Sequence, residues 1–218
     1  MKLTFTRSLA VLAAALTLSA FSAAAADEEG FVSIFNGKDL TGWAGPVDQY
    51  EVKDGAIACK PAKGGTLYTK DEYADYIVRL EIKLPPGGNN GLAIRYPGKG
   101  DTAYVGMCEL QVLDDSSPKY AKLDPRQYHG SAYGMVAAKR GHQKPVGEWN
   151  EQEVTIKGST IKVVLNGTVI LDTDLSKVDP ATYMGKSKHP GVTRTTGYFG
   201  FAGHGDAVQF RNIRIKKL

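Results

Sequence analysis

From Phe31 onward the chain alternates apolar and polar positions in short runs, broken by clusters of Gly, Pro, Asn and Asp. That pattern belongs to an all-β sandwich or barrel. The longest run is Tyr76 to Leu84, where Tyr76, Val78, Leu80, Ile82 and Leu84 face one way and Arg79, Glu81 and Lys83 the other. Asn89-Asn90-Gly91 reads as a turn into Leu92–Tyr96, with Leu92, Ile94 and Tyr96 on one face and Ala93 and Arg95 on the opposite one. Tyr50-Glu51-Val52 and Ala56–Cys59 form a hairpin about Asp54-Gly55. Three more strands, Glu151–Lys157, Thr160–Leu165 and Thr168–Leu171, are joined at Gly158-Ser159 and Asn166-Gly167. Apolar parity slips between Phe210 and Ile213, which predicts a bulge near Asn212.

The stretch from Ala103 to Asp115 reads as a strand whose apolar row is Cys108, Leu110 and Val112. Glu109 and Gln111 then project from the other face, about 7 Å apart. Asp114 has the wrong parity for that face unless a bulge re-aims it. If these runs pair within one antiparallel sheet, Glu81, Arg95, Glu109 and Gln111 share a polar face, and the small Gly91 and Ala93 leave room for a ligand. The competing account is a ladder of cross-strand ion pairs meeting water. Residues 115–147 are the least regular part of the chain. A loop region that long is functional or disordered, and its Tyr120, Tyr128, His129 and Tyr133 argue against disorder. Tyrosines over a polar cleft suit a pyranose ring; as core filler they would need no ligand.

The first 26 residues stand apart. Lys2 and Arg7 precede an apolar run from Leu9 to Phe21, and Ser22-Ala23-Ala24-Ala25-Ala26 follows. This is the form of a cleaved export signal, with no cysteine near the cut to take a lipid anchor. The expectation is a periplasmic or secreted protein, residues 27–218, forming a single domain without membrane attachment. Losing Lys2 and Arg7 takes two from a formal net charge of +4. With no basic block, nothing points to nucleic acid or an anionic surface. Export permits disulfides; Cys59 and Cys108 could form one bridge or remain two buried thiols.

The sequence contains no phosphate-binding Gly-Lys-Ser/Thr loop, nucleophile elbow or Cys-x-x-Cys pair. Four histidines lie in loop-like sequence, and His129 and His204 stand among glycines and aromatics that could present them to a cleft. With Glu109 they are the candidate ligands of a divalent metal ion. Glu109-x-Gln111-x-x-Asp114 is close to the Glu-x-Asp-x-x-Glu signature of laminarinase-like glycoside hydrolases. A retaining glycosidase needs two carboxyls roughly 5–5.5 Å apart, and Gln111 stands where that signature has its central acid.

An ordered set of blocks covers nearly the whole chain. They are Phe35-Asn36-Gly37-Lys38-Asp39-Leu40-Thr41-Gly42-Trp43, Asn90-Gly91 with Arg95, Glu109-x-Gln111-x-x-Asp114, and His129-Gly130-Ser131-x-Tyr133-Gly134. Lys144-Pro145-x-Gly147-Glu148-Trp149-Asn150, Leu165-Asn166-Gly167 and Phe210-Arg211-Asn212-Ile213-Arg214-Ile215 complete the set. Together they resemble the 3-keto-disaccharide hydrolase domain family. The resemblance implies a concanavalin A-like jelly-roll β-sandwich of two antiparallel sheets that acts on glycosides oxidised at the sugar C3. A 3-ketone acidifies the C2 proton, so a base can form an enolate, the C1 substituent can leave, and water can add. On that reading Glu109 is the base or a metal ligand, Arg95 or a bound cation stabilises the oxyanion, and His129 is the acid. Glu81, Gln111, Asp114, Tyr133, Lys144 and His204 bind substrate. A retaining glucanase acting on unoxidised sugar and a non-catalytic carbohydrate-binding module are the alternatives.

Overall fold

A computed structural model describes residues 30–184 and 188–218; the export signal expected over the first 26 residues lies outside them. Strands are the dominant regular structure of the described chain. In order, the strands are β1 (Val32–Ser33), β2 (Trp43–Ala44), β3 (Tyr50–Lys53), β4 (Ala56–Cys59), β5 (Gly65–Tyr73), β6 (Tyr76–Lys83) and β7 (Asn89–Tyr96). A single-turn helix, α1 (Thr102–Val105), precedes β8 (Cys108–Leu113). After the long irregular segment come β9 (Trp149–Lys157), β10 (Thr160–Leu165), β11 (Thr168–Asp174), β12 (Gly197–Gly203) and β13 (Gln209–Lys217).

These strands form two antiparallel sheets. One runs β11-β10-β9-β6-β13-β4-β3, with β1 also on β13; the other runs β2-β5-β12-β7-β8. The alternation in β6 is realised in full, with Tyr76, Val78, Leu80 and Ile82 buried and their neighbours half-exposed. The inner faces of the two sheets meet in one core, where Phe201 of β12 stacks on Phe210 of β13 with ring centroids 3.9 Å apart and on Trp43 at 5.3 Å. The β3–β4 hairpin turns at Asp54 and Gly55, both with positive φ (51° and 73°), as a two-residue turn that matches strand twist requires. The slip near Asn212 is a bulge, with Asn212 at φ 51° and the β6 register shifting between Arg211 and Arg214.

Several expectations change. Asn89 and Asn90 belong to β7, and the turn is made by the preceding Pro85–Gly88 segment. Ala103 to Val105 are helical, so the strand begins only at Cys108. Of the two possibilities for Cys59 and Cys108, the structure takes the second: both are buried free thiols. Most consequentially, β6 and β8 lie in different sheets, so Glu81 cannot share a face with Glu109.

Candidate active site

The five-stranded sheet offers its outer face to the site. Across β7 and β8, Asn89 lies opposite Leu113, Gly91 opposite Gln111 and Ala93 opposite Glu109, so all six residues share that face. Gly200 of β12 continues the row beyond Ala93. These small residues make a shallow floor. A methyl on Gly91 would lie 1.8 Å from Glu109 Oε1, so the carboxylate occupies the space that the glycine leaves empty.

Walls rise on two sides. Asp101 caps α1 by accepting the N–H of Ala103, and the Thr66 and Thr102 hydroxyls bond to each other, tying α1 across β5. Along the free edge of β8, Leu110 bridges Ala132 and the N–H of Tyr133 donates to Glu109 O at 2.9 Å. Tyr133 thus lies opposite Glu109 and on its face. The result is a cleft of about 260 Å³ lined by Asn89, Asp101, Tyr104, Glu109, Gln111, Gln127, Tyr133 and His204 among others.

Glu109 is 4% exposed. Burial pushes its carboxyl up from the ordinary range, while His204 pulls it back. His204 Nε2 stands 3.8 Å from Glu109 Oε1, with its side chain 49% exposed, and the Glu109 carboxylate pushes the imidazole up. The pair is therefore a buried carboxyl group held beside a partly solvated imidazole. Gln111 Nε2 donates to Asn89 Oδ1 at 2.8 Å, which leaves Gln111 Oε1 as a further acceptor. The loop carrying His204 is pinned by Asp206, whose carboxylate accepts the N–H of Asn89 at 3.0 Å.

Of the site residues expected from sequence, Glu109, Gln111, Tyr133 and His204 come together here. The others do not. Arg95 shares its parity with Ala93 only on paper. A bulge shifts the β7–β12 register between Ala93 and Tyr96, Arg95 takes φ 49°, and its side chain leaves the outer face. It is 1% exposed and donates to Ala74 O, Gly158 O, Arg194 O and Asp75 Oδ1 at 2.8–2.9 Å, so it cannot reach an oxyanion in the cleft. His129 is also packed away: its Nδ1 accepts the N–H of Leu113, which puts the proton on Nε2, 2.9 Å from Gln152 Oε1. Burial lowers its pKa to about 4, so it is a neutral joint between the sheets and no acid of this cleft.

Asp114 keeps its strand parity and turns from the face, accepting from Gly87 N and from Ser116. With Lys144 it lines a separate open cleft of about 570 Å³. Glu81 pairs with Arg211 at 2.7 Å on the other sheet. The structure separates the three candidate metal ligands, with His129 packed away from Glu109 and His204. Among the described residues no group of three His, Cys, Asp or Glu is arranged to hold an ion. Sequence reasoning missed Asn89, Asp101, Tyr104 and Gln127 as site residues. Tyr104 and Gln127 are marked only by the aromatic and amide content of their segments; Asn89 reads as a turn residue, and Asp101 carries no signal.

The 3-keto-alpha-glucoside-1,2-lyase-like domain family matches residues 30–216. A 3-keto-disaccharide hydrolase of Bacteroides thetaiotaomicron is 29% identical over 88% of this chain and 80% of its own length. A solved candidate glycosyl hydrolase from Parabacteroides distasonis superposes with a TM-score of 0.74 at 27% identity, covering 87% of this chain and 94% of that one. A carbohydrate-binding module from Bacillus subtilis shares the fold at 14% identity, with a TM-score of 0.53 over 83% of this chain and 98% of its own. The match over almost every described residue, on a sandwich of the same kind, places the chain in the family of 3-keto-alpha-glucoside-1,2-lyase-like domains.

Proposed function

We propose that this protein cleaves the glycosidic bond of sugars that carry a ketone at C3, by removing the C2 proton and eliminating the C1 substituent. Water then adds to give net hydrolysis. The observation that carries this reading is the buried carboxylate of Glu109, on a floor cleared of side chains and beside His204. A proton next to a ketone needs one base rather than a pair of carboxylates, and burial strengthens Glu109 for that task. The names of the family and of the Bacteroides relative point the same way. With Arg95 turned inward, the positive group beside the base is His204, which stabilises the enolate oxygen as charge develops there. Asn89 and Gln111 bind the sugar hydroxyls. The apolar run and cleavage-like residues of the first 26 positions support a place outside the cytoplasm.

Direct attack on an unoxidised glycoside is the second reading, because Asp101 supplies a second carboxylate to the cleft. Incubating the purified protein with a 3-keto-disaccharide and with its unoxidised parent separates the two. Release of sugar from the keto compound alone is the expected result. Release from the parent would transfer the role to a Glu109/Asp101 pair, and saturable binding without release would make the domain a sugar-binding module.

A further inference from the structure

We propose that Tyr133 protonates the departing glycosidic oxygen and that Gln127 aims it; the proposal rests on the keto-glycoside reading of the cleft. The directionality comes from a turn outside the cleft. In the segment Asp124–Gln127 the backbone N–H of Asp124, which can only donate, faces the Gln127 side chain at 3.2 Å. The atom facing it must be Oε1. Gln127 Nε2 therefore faces Tyr133 and donates to the hydroxyl oxygen at 3.0 Å. Asp124 is itself held by both Arg126 Nε and Nη2, so the amide has a firm base.

A phenol oxygen that accepts from an amide keeps its own proton for another acceptor. Among the described residues the Tyr133 hydroxyl donates to no protein group. Its backbone places the ring on the same face as Glu109, directly across the edge of β8. The cleft thus holds a base and an undirected O–H side by side, with neither bonded to the other.

The proton count closes. Glu109 takes the proton from C2, leaving an enolate delocalised onto the C3 oxygen. The electron pair returns to form the C1–C2 double bond, the C1–O bond breaks, and the departing oxygen takes the proton from Tyr133. Glu109 is then neutral and Tyr133 is a phenolate, whose charge the Gln127 N–H stabilises by bonding to the charged form. Addition of water runs the same groups backwards. The phenolate takes a proton from water as its oxygen joins C1, and Glu109 returns its proton to C2. Substrate and water become keto sugar and alcohol, with both residues restored.

An acid of this kind matters only when the leaving group needs a proton. Tyr133→Phe and Gln127→Ala are compared with wild type on a 3-keto-disaccharide and on a para-nitrophenyl 3-keto-glucoside, whose aglycone departs as a stable anion. Tyr133→Phe is expected to lose about 100-fold or more in the single-turnover rate of C1–O cleavage on the disaccharide, and to release nitrophenolate within a few-fold of the wild-type single-turnover rate. Gln127→Ala is expected to show the same selectivity with a smaller loss, and it serves as the test should Tyr133→Phe melt early. Equal losses on both substrates in folded protein, or no loss on the disaccharide, would overturn the proposal. So would the same selectivity appearing in His204→Gln and not in Tyr133→Phe. Inactivity of the wild-type protein on both keto compounds is a separate outcome: it removes the functional reading, and this proposal with it.

Discussion

Glu109 is carried where its neutral form is favoured, yet a proton-abstracting base must be an anion. Burial raises its pKa above that of the unfolded chain. The stability linked to this group is therefore full below the ordinary carboxylate range and falls as pH rises, because the unfolded state ionises first. Glu109→Gln should accordingly abolish turnover while raising stability at pH 7 by about 1 kcal/mol. Urea unfolding set beside a turnover assay checks both signs, and a destabilised Glu109→Gln protein would make the carboxylate a structural anchor instead. Gly91 makes the complementary case. Its missing side chain is the room in which Glu109 Oε1 sits, so Gly91→Ala forces the carboxylate aside by an ångström or more. A displacement of that size costs on the order of 100-fold in rate, and the loss should appear in kcat with the circular dichroism spectrum unchanged.

At the scale of elements, the bulge in β7 turns what looks like a cleft residue into a suture. Arg95 donates to the carbonyl of Ala74 before β6, to Gly158 in the β9–β10 turn, and to Arg194 before β12, with Asp75 as its charge partner. One guanidinium therefore closes one end of both sheets, with Asp75 also receiving the N–H of Gly158. Arg95→Ala takes the donor from three carbonyls and the charge partner from Asp75, and should destabilise by about 3 kcal/mol. Lysine should restore only part of that, since it lacks the fork that reaches several acceptors at once. In denaturant melts of Arg95→Ala, the midpoint should fall sharply while turnover per folded molecule stays near wild type. Loss of turnover from a protein of native stability would return Arg95 to the chemistry. His129 plays the same part at the edge of β8, linking Leu113 to Gln152 of β9. The edge segment that supplies Tyr133 is held to β8 beside it.

Across the whole molecule, activity should follow a bell in pH. The acid limb marks protonation of Glu109 and should lie above the usual carboxylate range, since burial pushes that group up. The alkaline limb marks loss of the proton from His204 and should lie above the ordinary imidazole range, since the Glu109 carboxylate pushes that group up. In a kcat/KM profile, His204→Gln should lower the plateau and remove the alkaline limb while keeping the acid one. An unchanged alkaline limb would assign it to another group. Periodicity alone determined much of this protein: the all-β class, the β3–β4 hairpin, the face of β6, the bulge at Asn212, and the outward pairing of Glu109 with Gln111. These are legible because strand alternation and turn chemistry are local, written within ten residues of chain. Tertiary structure decided the rest. Glu81 and Glu109 look alike in alternation, and only sheet assignment puts β6 and β8 in different layers. Arg95 and Ala93 have the same parity until one extra residue reverses it. His129 and His204 both sit among glycines and aromatics; burial makes the first a neutral joint, while the Glu109 carboxylate outweighs burial at the second and pushes its imidazole up. Burial and long-range pairing are properties of the assembled sandwich: they join residues far apart in the chain, such as Tyr50 and Phe201, 151 positions apart, and no local pattern encodes them.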